Sequence, residues 1–174
     1  MRNLRGFLSA ASVLLGLAFS TAPPGLAQAG PAESRFLEAA AWGHRAQIEM
    51  GRLAQRAAAS AQVREFGGRM VAEHSASLAE LQPIAARLNV TLPPGVSPAR
   101  QTALDRLAQL SGAEFDVAYM TETLREHRND VRTYREAGRA VRDPELAAYI
   151  ERTLTMLLRH LRTAREISDA LGLG

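Results

Sequence analysis

Apolar residues recur along most of this chain at steps of three and four, the spacing that lays a single stripe along a helix. The first stripe reads Phe36, Ala39, Gly43, Ala46, Met50, Leu53 and Ala57, with Trp42 and Glu49 on its flank, and predicts a helix from near Ser34 to near Ala59. Ser60 can cap a second helix whose stripe is Val63, Phe66, Met70, His74, Leu78 and Leu81. Pro83 falls inside that pattern and should kink the helix or end its first part, because it lacks an N–H and crowds the preceding turn. From Asn89 to Ser97 two adjacent prolines and a glycine mark a loop. Ser97-Pro98 then opens a short helix ending near Gly112.

Ser111 and Glu114 have capping-box spacing for a third long helix, with the stripe Val117, Met120, Leu124, His127, Val131, Tyr134 and Val141. Asp143-Pro144 caps the fourth, which carries Leu146, Ile150, Thr153, Leu157, His160, Ala164, Ile167 and Leu171 and stops at Gly172. No alternating Val/Ile/Thr run bounded by turns competes with this reading. Each long helix should be roughly 40 Å long. Short links make antiparallel hairpins of the first and second pairs, and the long link between them has room for a small helix and a passage along the bundle. The expected fold is all-α: a ferritin-like four-helix bundle, two antiparallel hairpins joined by a crossover containing a short helix.

The first residues follow a different pattern. Arg2 and Arg5 precede an apolar run from Phe7 to Phe19, then Pro23-Pro24 and the small-residue sequence Ala27-Gln28-Ala29. A basic start, a short apolar stretch and an A-x-A site describe a secretory signal peptide. The run is shorter than the roughly 20 residues that span a bilayer. Residues 1–29 are therefore expected to be a leader cleaved after Ala29, and residues 30–174 a single bundle domain in the periplasm, with no transmembrane segment.

Composition narrows the chemistry. The chain has no cysteine, which removes disulfides, thiolate nucleophiles and cysteine metal sites. Its net charge of +3 comes from arginine alone, since lysine is absent. With Arg2 and Arg5 in the leader, the remaining 19 Arg nearly balance 18 acidic residues, and the two signs are interleaved as on solvated helix faces. Nucleic acid is therefore not an expected partner; an envelope protein fits better, and the oligomeric state is open. Neither a Gly-x-Ser-x-Gly elbow nor a glycine-rich phosphate loop after a strand is present, so a binding or structural role is expected rather than catalysis.

Three of the four histidines lie on apolar stripes: His74 between Met70 and Leu78, His127 between Leu124 and Val131, His160 between Leu157 and Ala164. At about 1.5 Å rise per residue they share a height near mid-bundle, and Glu49 on the first helix lies close to it. Two readings follow. The four side chains form an internal His/Glu polar layer that fixes register, or they hold a divalent transition metal, a mononuclear zinc, copper or iron. His44 falls off the stripe and is expected to be exposed or partly buried. Glu73 and Glu126, each adjacent to a histidine, should face outward or sideways, because neighbouring helix residues diverge by about 100°. Asp116 is accounted for by the helix dipole and Tyr119 by packing at the bundle edge.

Glu49-Met50-Gly51-Arg52-Leu53-Ala54, Met70-Val71-Ala72-Glu73-His74, Ser111-Gly112 with Phe115-Asp116 and Tyr119, His127, and His160-Leu161 occur in that order. Together they resemble the domain-of-unknown-function 4142 family over about residues 35 to 165. The resemblance implies an exported bacterial protein with a ferritin-like helical bundle and transfers no activity. It marks Glu49, His74, Asp116, Tyr119, His127 and His160 as the positions to watch. Glu73 stands where the family commonly has Asp. Members are often labelled outer membrane proteins, yet this chain has no strands of about ten alternating residues. Carboxylate-bridged di-iron bundles use Glu-x-x-His pairs, whereas Val71, Leu124 and Leu157 precede the three histidines here.

Overall fold

The computed structural model describes residues 28–173; the expected leader, apart from its last two residues, lies outside them. The described residues form five helices: α1 Pro31–Ala57, α2 Ala61–Arg87, α3 Pro98–Leu107, α4 Gly112–Ala140 and α5 Pro144–Ala170. The helix starts are local chemistry. Ser60 Oγ accepts a hydrogen bond from the Val63 N–H, and the Asp143 carboxylate accepts one from the Leu146 N–H. Ser111 stands at the start of α4 as expected, but its hydroxyl makes no capping bond. Pro83 neither ends α2 nor splits it. It lies on the exposed face within about one turn of the helix end, and exposed Ala79, whose carbonyl loses its N–H partner there, is open to water.

The four long helices form a bundle in which α1 packs on α2 and α4, and α5 on α4 and α2. Ala58 at the end of α1 lies beside Gly112 at the start of α4. α4 therefore runs parallel to α2 and antiparallel to α1, and two antiparallel hairpins are joined by one long crossover, as the link lengths predict. α3, within that crossover, covers the groove between α1 and α4. Arg100 on α3 fixes it there, donating to Glu126 at 2.6 Å and Asp130 at 3.1 Å on α4.

Acidic side chains also fasten the hairpin turns. Asp116 accepts hydrogen bonds from the Ala59 and Ser60 N–H groups at 3.2 and 2.8 Å, tying the α1–α2 turn to α4. Buried Glu33 accepts from the Arg142 N–H at 2.9 Å, tying the α4–α5 turn to α1. The role expected for Asp116 thus needs correction: it holds backbone donors of another segment rather than only favouring its own helix dipole. Between α1 and α2 the backbones come close at Gly51 and Gly67. A Cβ on Gly51 would sit 2.5 Å from the Gly67 carbonyl oxygen, and one on Gly67 would sit 2.6 Å from the Ala54 Cβ.

The apolar core comes in two blocks. One gathers Phe36, Leu37, Leu81, Tyr134, Leu146 and Tyr149; the other gathers Met50, Phe66, Met70, Phe115, Tyr119 and Ile167. Tyr119 is wholly buried and stacked on Phe115, in the core rather than at its edge. Between the blocks lies a belt of buried polar side chains: His44, Gln47, His74, Thr123, His127 and His160.

Candidate metal centre

α2, α4 and α5 each present one histidine to the bundle axis, His74, His127 and His160, exposed by 1%, 0% and 1% respectively. Their ring centroids are 5.3 to 5.7 Å apart, and one ring nitrogen from each lies within 4.8 Å of the others. The expected meeting of the three at one height is therefore realised.

Outer partners decide which nitrogens face the centre. His127 Nδ1 lies 3.0 Å from the Thr123 carbonyl oxygen, which can only accept, so Nδ1 carries the proton and Nε2 is bare. His160 Nε2 lies 2.9 Å from the Glu73 carboxylate, so in the neutral ring Nε2 donates and Nδ1 is bare. The two bare nitrogens, His127 Nε2 and His160 Nδ1, face each other at 3.4 Å. His74 Nδ1 is 2.9 Å from His44 Nδ1, and His74 Nε2 is buried with no hydrogen-bond partner. His44 Nε2 in turn meets the hydroxyls of Tyr149 at 2.6 Å and Tyr134 at 3.0 Å. If His74 Nδ1 donates to His44 Nδ1, then His44 donates from Nε2 to a tyrosine oxygen and His74 Nε2 is bare as well.

The surroundings keep these rings neutral. Burial holds His44 and His127 down to about 3, Arg100 lowers His44 further, and the nearby rings disfavour charge on one another. Burial also holds His74 well below the ordinary histidine range. His160 is lowered by burial as well, although Glu73 opposes the shift. Partial burial raises Glu73, but the hydrogen bond from His160 and the Arg159 guanidinium outweigh it and keep the carboxylate below its usual range. Two facing lone pairs at 3.4 Å therefore have no proton between them near neutral pH. Neutral imidazoles with free nitrogens can hold a transition metal. Tetrahedral nitrogens at the usual 2.0–2.1 Å from zinc stand about 3.3 Å from each other, close to that separation.

Glu49 requires a correction. It is exposed, with its carboxylate on Arg52, and does not reach the cluster. The inward residues of α1 at this height are His44 and Gln47, exposed by 2% and 0%. Glu49 is two residues beyond Gln47, about 200° around the helix. The apolar stripe chosen for α1 was rotated: it left His44 off the stripe, as exposed or partly buried, and passed over Gln47. Their signal was present in the sequence: Leu37, Ala40, His44, Gln47, Gly51 and Ala54 step by three and four, and all are buried. Glu73 does turn sideways from His74, but this carries its carboxylate to His160 on the facing helix rather than into solvent alone. Glu126 is buried and ion-paired with Arg100 and Arg125, not outward.

No helix among the described residues is long and apolar enough to cross a membrane. Neither the curated proteins nor the solved structures compared with the chain give a match. The family described as Domain of unknown function (DUF4142) matches residues 18–167. The helical bundle, its order of motifs and that match over most of the sequence agree, and the chain belongs to the DUF4142 family.

Proposed function

We propose that this protein binds one first-row transition metal ion in its core, through His74 Nε2, His127 Nε2 and His160 Nδ1. The observation that carries the reading is the pair of bare nitrogens of His127 and His160, facing each other at 3.4 Å in the buried core. A cation between facing lone pairs is favoured, and burial disfavours the proton in that role. A metal ion supplies the charge, and the Glu73 carboxylate behind His160 offsets part of it while fixing the ring's tautomer. Three neutral nitrogens suit zinc, copper, iron or nickel better than magnesium or calcium, which prefer oxygen ligands.

The competing reading is a polar layer that only fixes helix register, favoured by the chain His74–His44–Tyr149, whose members satisfy one another. Competition titration with a chromogenic chelator separates the two, using the full chain without a polyhistidine tag. Metal binding predicts close to one zinc per chain, abolished in a still-helical His74→Ala, His127→Ala, His160→Ala variant. A structural layer predicts no retained zinc in either protein. Export to the periplasm is part of the proposal, supported by the leader-like residues 1–29. Recovery of the chain in the cytoplasmic fraction at its full mass would contradict it.

A further inference from the structure

The three histidines come from α2, α4 and α5, which leaves the fourth side of the site to α1. The inward face of α1 carries His44, which meets His74, and, one turn on, Gln47, completely buried, with neither its amide oxygen nor its amide nitrogen hydrogen-bonded. Helix register puts it at the height of the cluster. His44 meets His74 across α1 and α2, and Gly51 faces Gly67, Met70 and Val71. Gln47, midway between His44 and Gly51, is therefore level with residues 71–74 of α2. On α4, antiparallel to α1, Gly43 faces Asp130, so Gln47 comes level with residues 126 and 127. Thr123, one turn from His127, holds that ring through its backbone carbonyl, and its hydroxyl lies beside the Tyr119 phenol.

A buried amide left without partners destabilises the fold, because its lost hydrogen bonds to water are not replaced. Such groups are retained where a ligand completes them, and two orphaned polar groups, His74 Nε2 and the Gln47 amide, occur in one belt. Resting on the trihistidine reading, we propose that the metal keeps its fourth position open for a small exogenous ligand, water, hydroxide or a compact anion, and that Gln47 positions this ligand by hydrogen bonding. Three protein ligands with one exchangeable position is the arrangement in which zinc lowers the pKa of its water to about 7. The side chain of Gln47 is then a positioning residue that touches the exogenous ligand and not the metal.

Cobalt(II) and azide test this, because cobalt's visible bands report coordination and azide occupies exchangeable positions. The full chain, without a tag, should bind one cobalt, and azide should shift its bands saturably. In Gln47→Leu the cobalt affinity should stay within a few-fold of the parent while azide binds about ten-fold more weakly, the loss of one hydrogen bond. Bound cobalt whose bands ignore azide would overturn the open position. Equal azide affinity in the parent and Gln47→Leu would overturn the role of Gln47. Loss of cobalt from Gln47→Leu as complete as from His74→Ala would make Gln47 a ligand, and overturn the proposal in that way. A parent that binds no cobalt at all would instead remove the trihistidine site, and this inference with it.

Discussion

His127 and His160 have little freedom in where they keep their protons. A carbonyl holds one ring and a carboxylate the other, and the nitrogens left over point at each other. Replacing Glu73 with Gln removes the carboxylate's charge while retaining a hydrogen-bond acceptor. Glu73→Gln should weaken zinc binding by about ten-fold to a hundred-fold, as losing an outer partner commonly does, measurable by chelator competition. His44→Phe should weaken it over a similar range, because His74 Nδ1 loses the partner that orients its ring. Glu49→Ala should leave zinc affinity unchanged, since the Glu49 carboxylate is solvated and paired with Arg52. The histidines were legible in the sequence because His74, His127 and His160 interrupt clear apolar stripes. Gln47 and His44 were not, because a stripe drawn through apolar residues passes over polar residues that are equally buried. The Glu73 carboxylate reaches His160 only because α2 and α5 meet as they do, which no single helix pattern contains, whereas Thr123 lies one turn before His127 on α4 itself.

At the scale of the element, α1 shows most clearly what periodicity leaves undecided. It packs against α2, α3 and α4, so its buried arc is wide and several stripes fit it. Small residues (Ala40, Ala41, Gly43, Gly51, Ala54) line much of that arc and give little hydropathy contrast to fix its rotation. Helix existence, order and direction were readable from caps and spacing, but α2 running through Pro83 was not. One proline near a helix end, opposite an exposed carbonyl, is compatible with either outcome. The close approach of α1 and α2 at Gly51 and Gly67 has a testable consequence. An added methyl at Gly67 meets Ala54 Cβ at 2.6 Å and the Gly51 carbonyl oxygen at 2.9 Å, and neither is the free end of a flexible chain. Gly67→Ala should destabilise the fold by about 1–3 kcal/mol, despite alanine's better helix propensity, as read by the urea midpoint. Because the same interface brings His44 to His74, the variant should also bind zinc more weakly.

For the whole molecule, a polar belt between two apolar blocks exchanges some stability for chemistry. The four histidines are held neutral by burial, His44 and His127 at about 3, while in the unfolded chain they titrate near 6.5. Below about pH 6.5 the unfolded chain therefore binds more protons at these rings, and stability is lost as pH falls from there towards 3. Asp130 works in the opposite sense. Burial raises it to about 7 in spite of the Arg100 guanidinium, so its penalty is relieved as pH falls from 7 towards the ordinary carboxylate range. Four rings outnumber one carboxyl, and each fully displaced group changes stability by about 1.4 kcal/mol per pH unit. The metal-free protein should accordingly show a lower urea midpoint at pH 5 than at pH 7.5. Metal occupation should raise thermal stability at neutral pH, since an ion bound only by the folded state stabilises it by mass action.

Anomalous diffraction at the zinc edge, from crystals of zinc-loaded protein, locates the ion itself. A trihistidine site in the core gives one dominant peak on the bundle axis, about 2.0–2.1 Å from His74 Nε2, His127 Nε2 and His160 Nδ1. Zinc found only on surface carboxylates, or a core with no anomalous peak between the three rings, would contradict it.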